Sequence, residues 1–424
     1  MQINADIQVL SVCSSDVSGG AARAAYRIHQ GVRSLGVDSR MLVKYKGTNV
    51  ASVHALSEFV PDNPLYDAYD WCRTKIQNKI QHAQWRPYQY TKHNYFLSDL
   101  RGTCLHGALE KIDGDIIHLH WINNRFLDIR ELASVRKPIV WTLHDSWPFC
   151  GVCHLPMDCI RYETHCGICP MLGSEVERDL AYKVFDEKAN LYTDLNLHIV
   201  TPSSWLAECA KRSALFGRFP ITVIPNCLDT ELYTPRDKKE TRAFLGYEPT
   251  KNYLLFGAMQ ATKDKNKGFD LLLHALQNLN IVDAELIVYG TDEDLSIYNI
   301  PMPVHSLGYI QSDEQMSMLY NAVNVMIVPS RNENLSNTIM ESMSCGTPVV
   351  AFNIGGNGDL IDHQKNGYLA KELDCVDLAK GIEWCLNNNE GNILGIIARE
   401  KVLKNYIIAK VSEQYKMLYE SLCK

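Results

Sequence analysis

No run in these 424 residues approaches the ~18 consecutive apolar side chains of a membrane-spanning helix. The opening Met-Gln-Ile-Asn-Ala-Asp has no basic segment ahead of its apolar run, so a signal peptide is not expected and the chain is placed in the cytoplasm. Positive charge is also short: a net charge of −7 argues against a protein that coats nucleic acid. G-x-G-x-x-G is absent, which removes support for a dinucleotide fingerprint. Acidic residues are missing between Trp71 and Ser98, where Arg73, Lys75, Lys79, Arg86 and Lys92 all occur. What remains is an ordinary soluble composition, 46% hydrophobic and 21% charged, long enough for two or three domains with their own cores.

The most informative segment runs from Val325 to Phe352. An apolar run of strand length, 325–329, leads into the polar loop Ser330-Arg-Asn-Glu-Asn-Leu-Ser. A short helix is expected from Asn337 or Thr338 to Cys345, stopped by Gly346 and Pro348. Val349–Phe352 then makes a second strand. This spacing predicts a βαβ unit whose strands are parallel neighbours. Ligands of such sheets bind beyond the carboxyl ends of the strands, which is where Glu333, Leu335, Ser336, Asn337 and the amides of a helix start are placed. Thr338-x-x-Glu341 also reads as a capping box that would make Glu341 structural, and Glu333 by itself is compatible with a solvated loop acid.

Glu333 and Glu341 stand in E-x7-E. The run Pro329-Ser330 … Glu341-Ser-Met-Ser-Cys-Gly-Thr-Pro-Val-Val … Gly355-Gly356 resembles the signature of retaining GT-B glycosyltransferases, in particular glycosyltransferase family 4. The resemblance implies an α/β fold of two Rossmann-like domains facing across a cleft, with a C-terminal helix crossing back to the first. It divides the chain into an acceptor-binding domain at 1–220, with an insertion at 58–110 and a Cys-rich segment at 150–169, a nucleotide-sugar-binding domain at 221–395, and the returning helix at 396–424. It further implies that Glu333 lies by the donor sugar and the reacting carbon, and that Glu341 holds the ribose.

The first half opens with a strand at Ile7–Cys13, a polar turn, and a helix over about Ala21–Leu35. Gly19 and Gly20 read as a tight turn; the resemblance implies substrate contact. Ile116–Trp121 and Pro138–Leu143 read as buried strands, with His144-Asp145 at the end of the second. Histidines there are commonly satisfied core or rim residues. The resemblance implies instead that H-x-H-W and T-x-H-D mark the wall of the cleft, with His144 positioning the sugar or acceptor and His120 a weaker candidate. Within 58–110, Trp71, Trp85, Tyr88, Tyr90, Tyr95 and Phe96 interleave with the basic residues. That pattern suits a lipid-diphosphate acceptor and peripheral contact at the inner membrane, or else a helical insertion whose aromatics pack inward.

Cys150-x2-Cys153 and Cys166-x2-Cys169, with Cys159 between, have zinc-knuckle spacing. Structural zinc on Cys153, Cys159, Cys166 and Cys169, reduced packed thiols, and disulfides are the three outcomes open. Four thiolates leave no position for water, so such a zinc would be structural and no cofactor is expected in catalysis.

In the second half, Tyr253–Gly257 reads as a strand and Gly268–Leu279 as an amphipathic helix. Lys263, Lys265 and Lys267 in the loop between them suit a diphosphate. In the family an Arg follows this strand and a Lys precedes the helix. Lys267 matches the Lys; Met259-Gln260 stands where the Arg would be. Asp292-Glu-Asp294 fits D-x-D but reads as helix capping. About Gly391–Leu422 reads as one long helical stretch. The resemblance implies transfer of a hexose from a nucleoside-diphosphate sugar to a glycan or polyprenyl-diphosphate-linked glycan. The setting it implies is assembly of a bacterial surface polysaccharide such as O-antigen, capsule or colanic acid. A nucleotide-sugar epimerase or phosphorylase on the same fold, and a non-catalytic nucleotide-sugar binder, are the alternatives; the missing Arg prompts the last.

Overall fold

The structure is a computed structural model describing residues 7–59, 63–88, 97–98, 100–102, 109, 114–281 and 283–423. Of the aromatic and basic residues singled out above, Tyr90, Lys92, Tyr95 and Phe96 lie outside the described residues. The chain divides into two units, one of Met1–Pro202, Leu206–Ile224 and Ser412–Lys424, the other of Ser203–Trp205 and Pro225–Val411.

The first unit is built on β1 (Gln8–Ser15), β2 (Asp38–Tyr45), β3 (Val53–Ala55), β4 (Ile116–Leu119), β5 (Ile139–Thr142), β6 (Leu197–Thr201) and β7 (Ile221–Val223). These make one sheet in the order β3-β2-β1-β4-β5-β6-β7, with every pairing parallel. Short runs such as Ile139-Val-Trp-Thr are buried at every position rather than at alternate ones, as a sheet covered on both faces requires. The helix Gly20–Ser34 lies close because its inward residues are small: Ala22 and Ala25 pack with Cys13, Met41, Val43 and Val53. The end of the chain belongs to this unit. Tyr415 Oη lies 3.0 Å from Thr142 Oγ1, and Tyr419 Oη lies 2.7 Å from His118 Nδ1.

The second unit is built on β8 (Asn252–Gly257), β9 (Ala284–Tyr289), β10 (Val304–Ser306), β11 (Val325–Val328), β12 (Val349–Phe352) and β13 (Gly367–Ala370), again all parallel, in the order β10-β9-β8-β11-β12-β13. β11 and β12 are the expected neighbours, with Met326 opposite Val349. Successive side chains point to opposite faces. Leu255, Met326 and Val328 join one core with Ile339, Met340 and Met343 of the helix Asn337–Ser344. Leu254, Val325 and Ile327 join another with Phe269, Leu272 and Leu276 of the helix Phe269–Leu276. The result is a helix–sheet–helix sandwich.

The stretch 391–422 is not one helix. Ile393–Asn405 and Ile408–Leu422 are separate, the former grouped with the second unit. The break falls where Tyr406 O accepts from Leu228 N at 2.9 Å and Ile407 bridges Leu228, so pairing with another segment replaces the helical ladder. Both sheets have the 3-2-1-4-5-6 order of the Rossmann fold, which reverses direction between β1 and β4 and between β8 and β11. Ligands of such sheets bind outside the carboxyl ends of the strands at that reversal. Among the described residues, no helix is long and apolar enough to cross a membrane.

Candidate functional site

At the reversal of the second sheet, β8 and β11 run out into two loops that are bonded to each other. Arg331 N donates to Asn266 O at 2.8 Å, and Asn266 Nδ2 donates to Asn332 O at 2.9 Å. The Arg331 guanidinium donates to Lys265 O at 2.6 Å and makes a two-point pair with Asp270 at 2.9 and 2.6 Å. Two glycines let the backbones approach. A Cβ on Gly268, whose φ is +69°, would lie 1.9 Å from Pro329 O, and one on Gly355, at +51°, would lie 1.9 Å from Glu333 O. No side chain larger than hydrogen fits at either place.

These loops present an ion pair. Lys267 Nζ lies 2.7 Å from Glu333 Oε1, which also accepts from Ser330 Oγ at 2.8 Å. The side chains are 27% and 14% exposed. Burial alone would lower the Lys267 pKa; the Glu333 carboxylate outweighs it and holds the ammonium above lysine's ordinary value. Lys263 does not join this pair, since it sits 3.8 Å from Glu293, and Lys265 is exposed.

The helix Asn337–Ser344 begins beside Glu333. Ser336 is its N-cap, but the Ser336 side chain makes no capping bond; its Oγ meets Thr338 Oγ1 at 3.0 Å instead. The capping-box alternative therefore does not form. Thr338 is already inside the helix, and Glu341, buried at 4% exposure, accepts from Tyr320 Oη at 3.3 Å. Leu335 is buried, and Asn337 Oδ1 accepts from Asn226 Nδ2 at 3.4 Å. Gly346, with φ +73°, follows the last turn as expected. The clamp of Asn266, Arg331 and Asp270 escaped the sequence reading; its one signal was an arginine inside the motif and an acid in the first turn of the helix it faces.

At the reversal of the first sheet, Gly19 takes φ +89° as the N-cap of the helix Gly20–Ser34. Asp16, just after β1, accepts from Gly47 N at 2.7 Å and from Thr48 N and Oγ1 at 2.9 and 2.7 Å. Histidines line the ends of β4 and β5. His118 Nε2 lies 2.8 Å from Thr142 Oγ1, and His120 Nδ1 lies 3.1 Å from His144 Nε2. Burial depresses His118 to about 3 and His144 to about 4, and lowers His120 well below its ordinary value, so all three are neutral at pH 7. Asp145 accepts from Trp121 Nε1 at 2.9 Å, from His154 Nδ1 at 2.6 Å and from Trp147 N at 2.9 Å. Burial would raise its pKa, but His154 and these donors hold it below the usual carboxylate range. Nothing in local spacing marks His154 or Asp16 for these contacts.

Of the three outcomes open for the cysteine segment, the structure has the thiols free and packed. Among the described residues, no group of three or more His, Cys, Asp or Glu side chains is placed to hold a metal, so Cys153, Cys159, Cys166 and Cys169 do not form one ligand set. Every described cysteine is a free thiol. Cys153 and Cys150 hydrogen-bond each other, and Cys166 Sγ accepts from Gly151 N at 3.2 Å. The buried Lys188 ammonium donates to Cys150 O at 2.8 Å and Gly151 O at 3.0 Å and lies 3.7 Å over the Trp147 ring. Burial lowers the Lys188 pKa to about 7, against the opposing pull of the nearby thiols.

Residues 250–388, which carry Lys267, Glu333 and Glu341, match the family described as glycosyl transferases group 1. An uncharacterized glycosyltransferase of Haemophilus influenzae is 29% identical over 35% of this chain and 44% of its own length. The putative colanic acid biosynthesis glycosyl transferase WcaC of Escherichia coli is 24% identical over 62% of this chain and 65% of its own length. The chain thus spans less than two thirds of the length of each of these relatives. The solved structure of Anabaena Alr3699/HepE in complex with UDP-glucose superposes with a TM-score of 0.64 at 16% identity, covering 98% of this chain and all of that one. At that identity the likeness shows the fold alone. The chain therefore has the two Rossmann-like sheets of such proteins, and its segment 250–388 is similar to the group 1 glycosyl transferases.

Proposed function

We propose that this chain transfers a hexose from a nucleoside-diphosphate sugar to a hydroxyl of a glycan or lipid-linked glycan, with retention of anomeric configuration. The observation that carries the reading is the Lys267–Glu333 ion pair at the carboxyl ends of β8 and β11, beside the start of the helix Asn337–Ser344. A partly desolvated ion pair contributes little to stability by itself. Held at a ligand-binding edge by bonds between two loops, it is a prepared site.

In this reading the diphosphate lies between Lys267 and the start of the helix Asn337–Ser344, where the ammonium and the helix dipole offset its charge. Ser336, Asn337 and Leu335 line that end. The Glu333 carboxylate faces the anomeric carbon and stabilises its positive character as the bond to the diphosphate breaks. The acceptor oxygen takes the vacated bond, and its proton leaves with the diphosphate. Glu341, oriented by Tyr320, receives the ribose hydroxyls. On the first unit, neutral His144 positions the acceptor hydroxyl, with Gly19 and Gly20 contacting substrate. The likeness to WcaC supports a surface-polysaccharide acceptor. No step calls for a metal.

The test is incubation with a panel of nucleoside-diphosphate sugars, with and without lipid-linked glycans. Nucleotide release is followed and the product linkage is read by NMR. Release that requires an acceptor and gives the donor's anomer supports the reading. Donor interconverted without acceptor assigns an epimerase, and binding without sugar loss assigns a non-catalytic binder.

A further inference from the structure

Two histidines at the strand ends of the first unit are bonded ring to ring, His120 Nδ1 to His144 Nε2 at 3.1 Å. One proton lies between them, so one ring donates and the other accepts. His120 is 2% exposed, and among the described residues its other nitrogen, Nε2, is buried with no hydrogen-bond partner. His144, just after β5, is only half-buried. The His120 ring is braced. It lies 4.1 Å from the His118 ring, centroid to centroid, and His118 is fixed by Thr142 Oγ1 on one nitrogen and by Tyr419 Oη on the other. Tyr415, one turn earlier on the last helix, bonds Thr142 at 3.0 Å and packs 5.2 Å from His118. The backbone is pinned as well: His120 N donates to Val12 O at 2.9 Å, and His120 O accepts from Trp141 Nε1 at 3.1 Å.

Two tautomer pairs satisfy the bond. In one, His120 donates from Nδ1 and its Nε2 is a bare lone pair. In the other, His144 donates from Nε2, and His120 is left with a buried N–H bonded to nothing. Buried N–H groups without an acceptor are rarer than under-satisfied acceptors, which selects the first pair. We propose that His120 is a positioning residue whose Nδ1–H holds His144 in the tautomer with its proton on Nδ1. Both nitrogens of His144 are then committed, Nδ1 by its own proton and Nε2 by the bond from His120. His144 therefore orients substrate without taking a proton from it, and the proton of the acceptor hydroxyl is left to the departing diphosphate. That consequence rests on the transfer proposed above, whereas the tautomer is a property of the free chain.

The experiment reads the tautomer directly. Long-range proton–nitrogen NMR correlation is recorded at pH 7 on the whole chain with its histidine rings isotope-labelled, and the His144 signals are assigned by their loss in His144→Gln. A protonated Nδ1 and a bare Nε2 on His144 are expected. His120→Asn puts an amide N–H near the place of Nδ1 and should preserve that pattern; His120→Leu should turn it into a mixture of tautomers. In transfer assays, kcat/KM for the acceptor should fall by ~10²-fold in His120→Leu and largely recover in His120→Asn. Nucleotide affinity should stay at the parent's value in both. A proton on Nε2 of His144 in the parent overturns the proposal. So does a His120→Leu chain that folds and transfers like the parent, or a folded His120→Asn that does no better than His120→Leu. If His120→Leu does not fold, the parent spectrum still decides. A parent that carries the Nδ1 proton yet transfers no sugar to any acceptor supports the tautomer and overturns the reaction proposed above.

Discussion

The two units share a strand order, and each begins a helix at the point where that order reverses, but they differ in charge. The first unit lines the strand ends with His118, His120 and His144, all kept neutral by burial. The second places there a half-buried cation and anion, Lys267 and Glu333. The fold supplies the location in each case, and the side chains at the strand ends decide what can bind. Neutral imidazoles suit hydroxyl partners. An ammonium beside a helix start suits a diphosphate.

The sharpest way to break this contrast is to neutralise the acid of the second unit. Glu333→Gln keeps the shape and the bond from Ser330 but loses the charge, and transfer should fall by ~10²–10³ in kcat. An unchanged kcat would remove Glu333 from the chemistry. Next in size is the clamp beneath it. Gly268→Ala sets a methyl 1.9 Å from Pro329 O at a left-handed backbone, so denaturant unfolding should show a loss of about 2–4 kcal/mol. Glu341→Ala should weaken nucleotide binding by about 1.5–3 kcal/mol, seen chiefly in KM. Equal affinity would return Glu341 to a structural role.

The two units should also differ in their response to pH. The folded pKa values of His118 and His144, about 3 and about 4, lie below their ordinary 6.5. Between those values the unfolded chain binds more protons. Stability of the first unit is therefore full above pH 6.5 and is lost as pH falls toward 4, by at most ~1.4 kcal/mol per pH unit for each group. Lys267 is raised, so its contribution is full below lysine's ordinary pKa and is lost as pH climbs through the folded value. Unfolding followed by hydrogen exchange across pH should show the first unit weakening in acid and the 264–270 segment of the second weakening in alkali.

Much of the second unit was legible because its signals are local. Val325–Val328, the helix to Ser344, Gly346 and Val349–Phe352 follow one another in a single stretch whose burial pattern and stop residues are written in order. Lys267 was legible from its place before a helix. What escaped depends on contacts far apart in the chain. Asn266 and Arg331 meet across 65 residues, and the partners of Asp16 lie in a loop beyond β2. The break at Tyr406 is set by pairing with Leu228, which no helical periodicity reports. The cysteine spacing left three outcomes open because spacing says nothing of distant neighbours such as Lys188, which lies at the Cys150–Gly151 turn from a helix well downstream.

The central claim is that Lys267 and its surroundings receive the diphosphate of a sugar nucleotide. Isothermal titration of a panel of nucleoside diphosphates and the matching monophosphates, into the chain and into Lys267→Ala, tests it most directly. The account predicts that at least one diphosphate binds the parent more tightly than its monophosphate, and that the advantage disappears in Lys267→Ala. No diphosphate binding at all, or an advantage that survives the substitution, would contradict it.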